Sequence, residues 1–371
     1  MTVTRRNLLR TALTLAAAPA AAPVSAARPV HAWPLGMNTY CLRFQRWNDR
    51  RLFEYCAGEK LDSIFLQDSL DPAAQDPKHW AAVRGWSHEM DMPVETGGGA
   101  ILPKTPADRP QVVAALRKNI ERAQAMGSPI VRALLAGDRY SMPPGPVERH
   151  METTIGILRE VRSQAMDANL KIGIENHKEL QAWETRAVIE GAGKEFVGSY
   201  LDTGNPVFVA EDPMTAVEEL GPLAVTFHLR DSVVYELPEG IAVQWVPLGE
   251  GTNDFKAIVS RAAELVPPSV RIYCKPITAR PPSLIPVYDS AFWNKWFSRA
   301  RARDLARFLA LARRGRPYDK PHLVADVAGD RERYMDALKV QQMEHMKRSL
   351  DYCRDVLGLG VRWRGARPLT P

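Results

Sequence analysis

Short apolar runs alternate with longer stretches of three-and-four spacing from Pro34 to about Pro276. The runs predict strands at 35–41, 63–67, 92–96, 130–135, 171–175, 197–202, 224–228 and 270–276. Between them, 112–126 carries Val113, Leu116, Ile120 and Ala123 on one helical face, and 151–168 repeats the pattern with Ile155, Leu158, Val161 and Ala165. Gly127-Ser128-Pro129 marks a helix end and Asp212-Pro213 a helix start.

Eight strands alternating with helices, without a GxGxxG after the first strand, predict a (β/α)8 barrel rather than a doubly wound sheet. Gly97-Gly98-Gly99 lacks the GK[ST] of a phosphate loop and reads as the turn after strand three. Longer insertions after strands four, seven and eight fall on the C-terminal face, where such barrels hold their chemistry. The barrel is expected over 34–282. Residues 283–371 then read as a C-terminal helical extension packed on it. This extension begins with aromatics (Tyr288, Phe292, Trp293, Trp296, Phe297) that suit a core or an interface. An Arg-rich helix at 298–314 follows, and its stripe of Leu305, Phe308, Leu309 and Leu311 implies a packed helix with a solvated basic face. A last helix is expected from 330 to 357.

The first residues stand apart. Arg5-Arg6, the uncharged stretch 11–22 and an Ala-type cleavage site near Ala26 predict a twin-arginine signal over 1–26, hence a periplasmic or secreted protein. An uncleaved anchor would look similar, but the apolar stretch is short and Ala-rich for a span, and no later run reaches the ~20 residues a spanning helix needs. The leader holds three Arg and no acid, so the net charge of +6 falls to +3 without it. That balance implies no nucleic-acid partner. Cys41, Cys56, Cys274 and Cys353 show no zinc-ribbon spacing, and buried free thiols are expected, although Cys41 and Cys274 fall on strands that neighbour each other in a closed barrel.

The chemistry concentrates at strand ends: Glu175-Asn176-His177, Asp202-Thr203-Gly204-Asn205 and His228-Leu229-Arg230-Asp231. Glu, Asp and His projecting from three successive strand ends suit a divalent cation. Glu175 and His177, two apart, share a side, whereas Asn176 points away. Glu95 before the glycines, with Asn38, Tyr40 and Gln67, belongs to the same presumed end.

Ile174-Glu175-Asn176-His177, Leu201-Asp202-Thr203-Gly204-Asn205, Phe227-His228-Leu229-Arg230-Asp231 and Pro247-Leu248-Gly249-Glu250-Gly251 together resemble the xylose-isomerase-like TIM-barrel family, the sugar phosphate isomerases/epimerases. The resemblance covers roughly 34–282. It implies one divalent metal ion (Mn, Mg, Co or Zn) held by Glu175, Asp202 and His228. It also implies a small-molecule sugar or glycoside substrate handled through a metal-stabilised enediolate, and it leaves a homo-oligomer open. Asn205, Arg230, Glu95 and Glu250 become candidate substrate contacts, and His177 and Lys275 join Glu175 as candidate proton carriers.

One position departs from the family pattern. The last metal-binding Glu, on strand eight, aligns with Lys275. Either three ligands hold the ion with Lys275 turned aside, or the ammonium replaces the ion in a metal-free enzyme, or the barrel only binds sugar. An isomerase or epimerase and a keto-glycoside lyase share the enediolate, so both remain open. The apurinic-site endonucleases of the same family need more His and acid ligands than eight scattered His provide.

Overall fold

The computed structural model describes residues 33–67, 71–325 and 330–365; the signal expected over 1–26 lies outside these. Eight parallel strands close a barrel: β1 (Leu35–Asn38), β2 (Ser63–Leu66), β3 (Val94–Thr96), β4 (Ile130–Ala133), β5 (Lys171–Glu175), β6 (Val197–Asp202), β7 (Ala224–Leu229) and, as the closing strand between β7 and β1, β10 (Ile272–Cys274). The intervening numbers, β8 (Asp231–Leu237) and β9 (Gly240–Val246), belong to an antiparallel hairpin inserted after β7, to which β11 (Ser283–Ile285) adds a third strand.

Alternation along each strand divides the side chains. Outward residues such as Val131, Ile172, Ile174, Leu201, Phe227 and Ile272 are buried against helical faces carrying Leu116, Ile120, Ile157, Ile189, Val217 and Ile258. Truncating any one of these to Ala would cost about 2–5 kcal/mol. Helix starts follow capping chemistry: Asp212 accepts from the Met214 amide ahead of Pro213–Leu220, and Asp254 from the Ala257 amide ahead of Phe255–Leu265. Gly127, at φ 78°, ends Arg109–Met126 in the left-handed region.

Three elements differ from expectation for local reasons. The first strand stops at Asn38, whose side-chain oxygen accepts from the Tyr40 amide and turns the chain into a 3-10 helix, Thr39–Gln45, so Cys41 is not on a strand. All four cysteines are buried and free. The helix expected at 151–168 breaks at Val161 into Val147–Glu160 and Arg162–Asp167. The hairpin was hidden in what reads as a long insertion.

That hairpin forms a second apolar cluster. Val234, Ile241, Val243 and Ile285 pack with Phe292, Phe297, Phe308 and Leu311, so the aromatic stretch and the basic helix Ala302–Arg314 serve as core. Further along, Gln342 accepts from the Phe44 amide at 3.0 Å and Gln341 donates to Thr278 at 2.8 Å, fastening helix Met335–Asp351 to the barrel rim. Among the described residues, no helix is long and apolar enough to cross a membrane.

Candidate active site

The inward side chains at the C-terminal end of the barrel form a buried lattice of opposite charges. Glu175 and Asp202 are the last residues of β5 and β6, and Lys275 directly follows β10. The Lys275 ammonium donates to Glu175 Oε1 at 3.0 Å, to Asp202 Oδ2 at 3.0 Å and to the Tyr200 hydroxyl at 2.9 Å. Its three donors are thereby used. Arg230, just past β7, grips Asp202 through Nη2 at 2.6 Å and Nε at 3.2 Å. Gly204 makes room for it: a Cβ there would lie 2.5 Å from Arg230 Cγ. Arg132 on β4 donates to Glu175 Oε2 and, at 2.8 Å, to the Gly98 carbonyl. Asn205 donates to Glu175 at 3.0 Å, and the Gly204 amide donates to Asp202 at 2.8 Å. As expected, Asn176 points away, exchanging two hydrogen bonds with the Asp202 backbone at 2.9 and 2.7 Å.

Electrostatics follow from this packing. Burial alone would raise the Glu175 carboxyl, but Arg132 and Lys275, with His177 and Arg230 further off, hold it well below the usual carboxylate range. Glu175 is therefore a carboxylate, and a weak base, at neutral pH.

His228 sits one layer deeper. Its ring stacks on Tyr200 at 3.9 Å and on Tyr273 at 4.9 Å, meets the edge of Phe65, and hydrogen-bonds the Thr226 hydroxyl at 3.0 Å. Burial, and then Lys275, push its pKa well below the ordinary value, so the imidazole is neutral.

These contacts test the divalent ion implied by the family pattern. All four oxygens of Glu175 and Asp202 accept hydrogen bonds, two of them from the ammonium that stands between the carboxylates. His228 faces aromatic rings instead of joining them. The trio Glu175, Asp202 and His228 does not bring its ligand atoms together as a cation requires, and a dication beside three basic side chains would be repelled. Among the described residues, the one His/Cys/Asp/Glu group with ligand atoms all within 4.8 Å of one another is Asp49, Asp71 and His79, outside the barrel mouth, where His79 Nε2 and Asp49 Oδ2 are 2.8 Å apart.

The remaining sequence candidates separate. His177 lines the cavity above the lattice, with Nδ1 3.3 Å from the Glu179 carboxylate, which the Leu135 and Ala136 amides anchor at 2.9 and 3.1 Å. Glu95 is not at the mouth: its inward side chain pairs with Arg271, the residue before β10, at 3.2 Å, towards the opposite end of the barrel. Burial raises its pKa. Glu250 also leaves the cavity, bonding Lys320 at 2.8 Å and Arg348 at 3.0 Å. The motif around it is structural, because the neighbouring Gly249 and Gly251 amides bind buried Asp231 at 2.9 and 3.0 Å.

Arg132, Tyr200, Lys178 and Trp245 escaped the sequence reading. Arg132 had a signal, a lone charge within an apolar strand that has to be paired. Trp245 and Lys178 had none, since the hairpin that carries Trp245 over the mouth was not foreseen. Trp245 donates to the Gly204 carbonyl at 2.7 Å and lies 4.2 Å beneath the Arg230 guanidinium. The cavity is about 460 Å³, and its walls include Tyr40, Phe208 and Trp245 beside Arg132, Arg230 and Lys275.

Comparison with known proteins agrees with this architecture. A curated relative, the uncharacterized protein YihM of Escherichia coli (strain K12), is 25% identical over 100 residues, which is 27% of this chain and 31% of that protein. The chain thus matches about a third of that relative's length. Among solved structures, the IOLI protein with a binding zinc atom aligns over 75% of this chain and 96% of its own at 13% identity and a TM-score of 0.55. D-psicose 3-epimerase, solved in the presence of D-fructose, aligns over 75% of this chain and 97% of its own at 18% identity and a TM-score of 0.53. Likeness at this identity is one of fold. The family description "Xylose isomerase-like TIM barrel" matches residues 63–274, more than half of the sequence, and the chain belongs to that family.

Proposed function

We propose that this barrel acts on a keto-sugar or keto-glycoside by proton transfer beside the carbonyl, as an isomerase, epimerase or lyase, with the Lys275 ammonium standing in for a divalent ion. The observation that carries this is the placement of Lys275 Nζ 3.0 Å from both Glu175 and Asp202. Lys275 neutralises the carboxylates and fixes the lattice; the guanidinium of Arg230, whose Nη1 has no hydrogen-bond partner among the described residues, is the donor left to meet an oxyanion. His177, on the cavity wall with Nδ1 3.3 Å from the Glu179 carboxylate, is the proton carrier in this reading.

In this scheme His177 takes a proton from the carbon next to the carbonyl, and the electron pair moves onto the carbonyl oxygen. Return of the proton from His177 to the former carbonyl carbon, with the hydroxyl proton passing between the two oxygens, gives an isomer. Protonation of the original carbon on its opposite face by water gives an epimer, and departure of a β-substituent that takes the proton from His177 gives an elimination product. We also take the chain to be exported, on the strength of Arg5-Arg6 and the apolar stretch behind them.

The test is solvent exchange. Free ketoses and 3-keto-glycosides incubated in D2O should gain deuterium at that carbon, undiminished by EDTA and lost in His177→Gln. Exchange that depends on added Mn²⁺ or Zn²⁺ would overturn the metal-free scheme. A second reading, binding without turnover, is favoured by the complete use of the Lys275 donors; saturable sugar binding without exchange would select it.

A further inference from the structure

The cavity wall is cationic beyond what the buried carboxylates absorb. No acidic side chain is among its described lining residues, because Glu175 and Asp202 are covered by the cations bonded to them. Lys178, on the loop after β5, lines the same cavity, and among the described residues no carboxylate lies within 4.0 Å of its ammonium. It hovers instead over aromatic rings, 5.6 Å from the centre of Phe208 and 5.8 Å from that of Trp245. Arg230 lies over the same indole at 4.2 Å.

A half-buried ammonium without an ion pair pays desolvation with little return. Burial lowers the Lys178 pKa; Asp138 opposes that, and the nearby Arg230 and Arg280 add to it, with Glu179 opposing. An anion seated between Lys178 and Arg230 relieves this, and Arg230 Nη1 carries two N–H groups, one for this anion and one for the oxyanion at the carbonyl. The indole and the Phe208 ring supply the apolar surface against which a sugar ring packs.

We infer that the ligand of this cavity is an anionic carbohydrate, a sugar carrying a carboxylate or phosphate group that Lys178 and Arg230 bind beside Trp245. The inference rests on the reading of this cavity as the sugar site and narrows the substrate class. Neutral ketoses would then bind more weakly than their anionic counterparts and exchange only at high concentration, and the affinity of the anionic ligand would fall with ionic strength.

Calorimetric titration of the full chain, in low and high NaCl, distinguishes the cases. The probes are D-glucuronate, 2-keto-D-gluconate and fructose 6-phosphate, set against D-glucose and D-fructose. The expected result is binding of an anionic probe at least tenfold tighter than its neutral parent, with the advantage lost in Lys178→Met while the unfolding temperature is kept. A carboxylate preference names a sugar acid as the source, and a phosphate preference a sugar phosphate. Equal affinity for anionic and neutral probes would overturn the inference and leave the sugar site standing. An anion preference that survives Lys178→Met would overturn the assignment of the seat. Absence of binding by every probe, in a protein that unfolds cooperatively, would overturn the sugar site and this inference with it.

Discussion

Two adjacent layers inside the barrel are built from the same strands on opposite principles. The upper layer holds Glu175, Asp202, Lys275, Arg132 and Arg230, joined by charge-assisted hydrogen bonds. The layer beneath holds Phe65, Tyr200, His228 and Tyr273, joined by ring contacts. A step of two residues along a strand moves a side chain from one layer to the other: Tyr200 to Asp202, His228 to Arg230, Tyr273 to Lys275. The residue that β7 sends into the charged layer is therefore Arg230, and His228 is left among the rings. Tyr200 links the layers, since its ring stacks on His228 while its hydroxyl accepts from Lys275.

The largest effect is expected from breaking the upper layer at its centre. Lys275→Met would take one cation from each buried carboxylate, leaving Glu175 to Arg132 and Asp202 to Arg230, and cost about 2–3 kcal/mol of folding free energy, measured by urea unfolding. A loss under about 1 kcal/mol would mean that the carboxylates are not buried and paired as described. Trp245→Phe keeps the apolar contact but deletes the hydrogen bond to the Gly204 carbonyl and weakens the Arg230 contact, for about 1–2 kcal/mol in the same assay.

The lower layer should reveal itself through pH. The folded-state pKa of His228 is depressed, so its neutral form stabilises the fold fully above the unfolded value and this contribution is lost as pH falls below it. With an unfolded pKa of about 6.5, stability should drop by ~1 kcal/mol between pH 6.5 and 5.5 on account of this group. His228→Phe should flatten the profile by that amount relative to the parent. His345, depressed to about 3 mainly by burial, titrates alike in both proteins and cancels in the comparison. An unchanged slope would place His228 in contact with water.

Much of this was legible in the sequence. The bounds of β5 and β6 fall where the apolar runs end, because each run terminates on the charged residue that leaves the core. The co-location of Glu175, Asp202, Asn205, Arg230 and Lys275 at one end of the barrel also follows from strand-end placement. Depth was not legible. One residue of phase decides which layer a side chain enters, and the motif containing both His228 and Arg230 does not reveal which of them reaches Asp202. Nor was Glu95 legible, because β3 begins only at Val94 and places Glu95 beside Arg271. The hairpin β8–β9 was missed because its alternating residues, buried on both faces under the C-terminal helices, read as an unpatterned insertion.

The central claim is that an ammonium occupies the place of a metal ion between Glu175 and Asp202. Its most direct test is the thermal unfolding midpoint of the parent and of Lys275→Glu, each with EDTA and then with Mn²⁺, Mg²⁺, Co²⁺ or Zn²⁺. The parent should show no shift that depends on Asp202, whereas Lys275→Glu, destabilised in EDTA by three crowded carboxylates, should be raised several degrees by a divalent ion. A saturable one-to-one shift in the parent, abolished by Asp202→Asn and kept in His79→Gln, would contradict the claim.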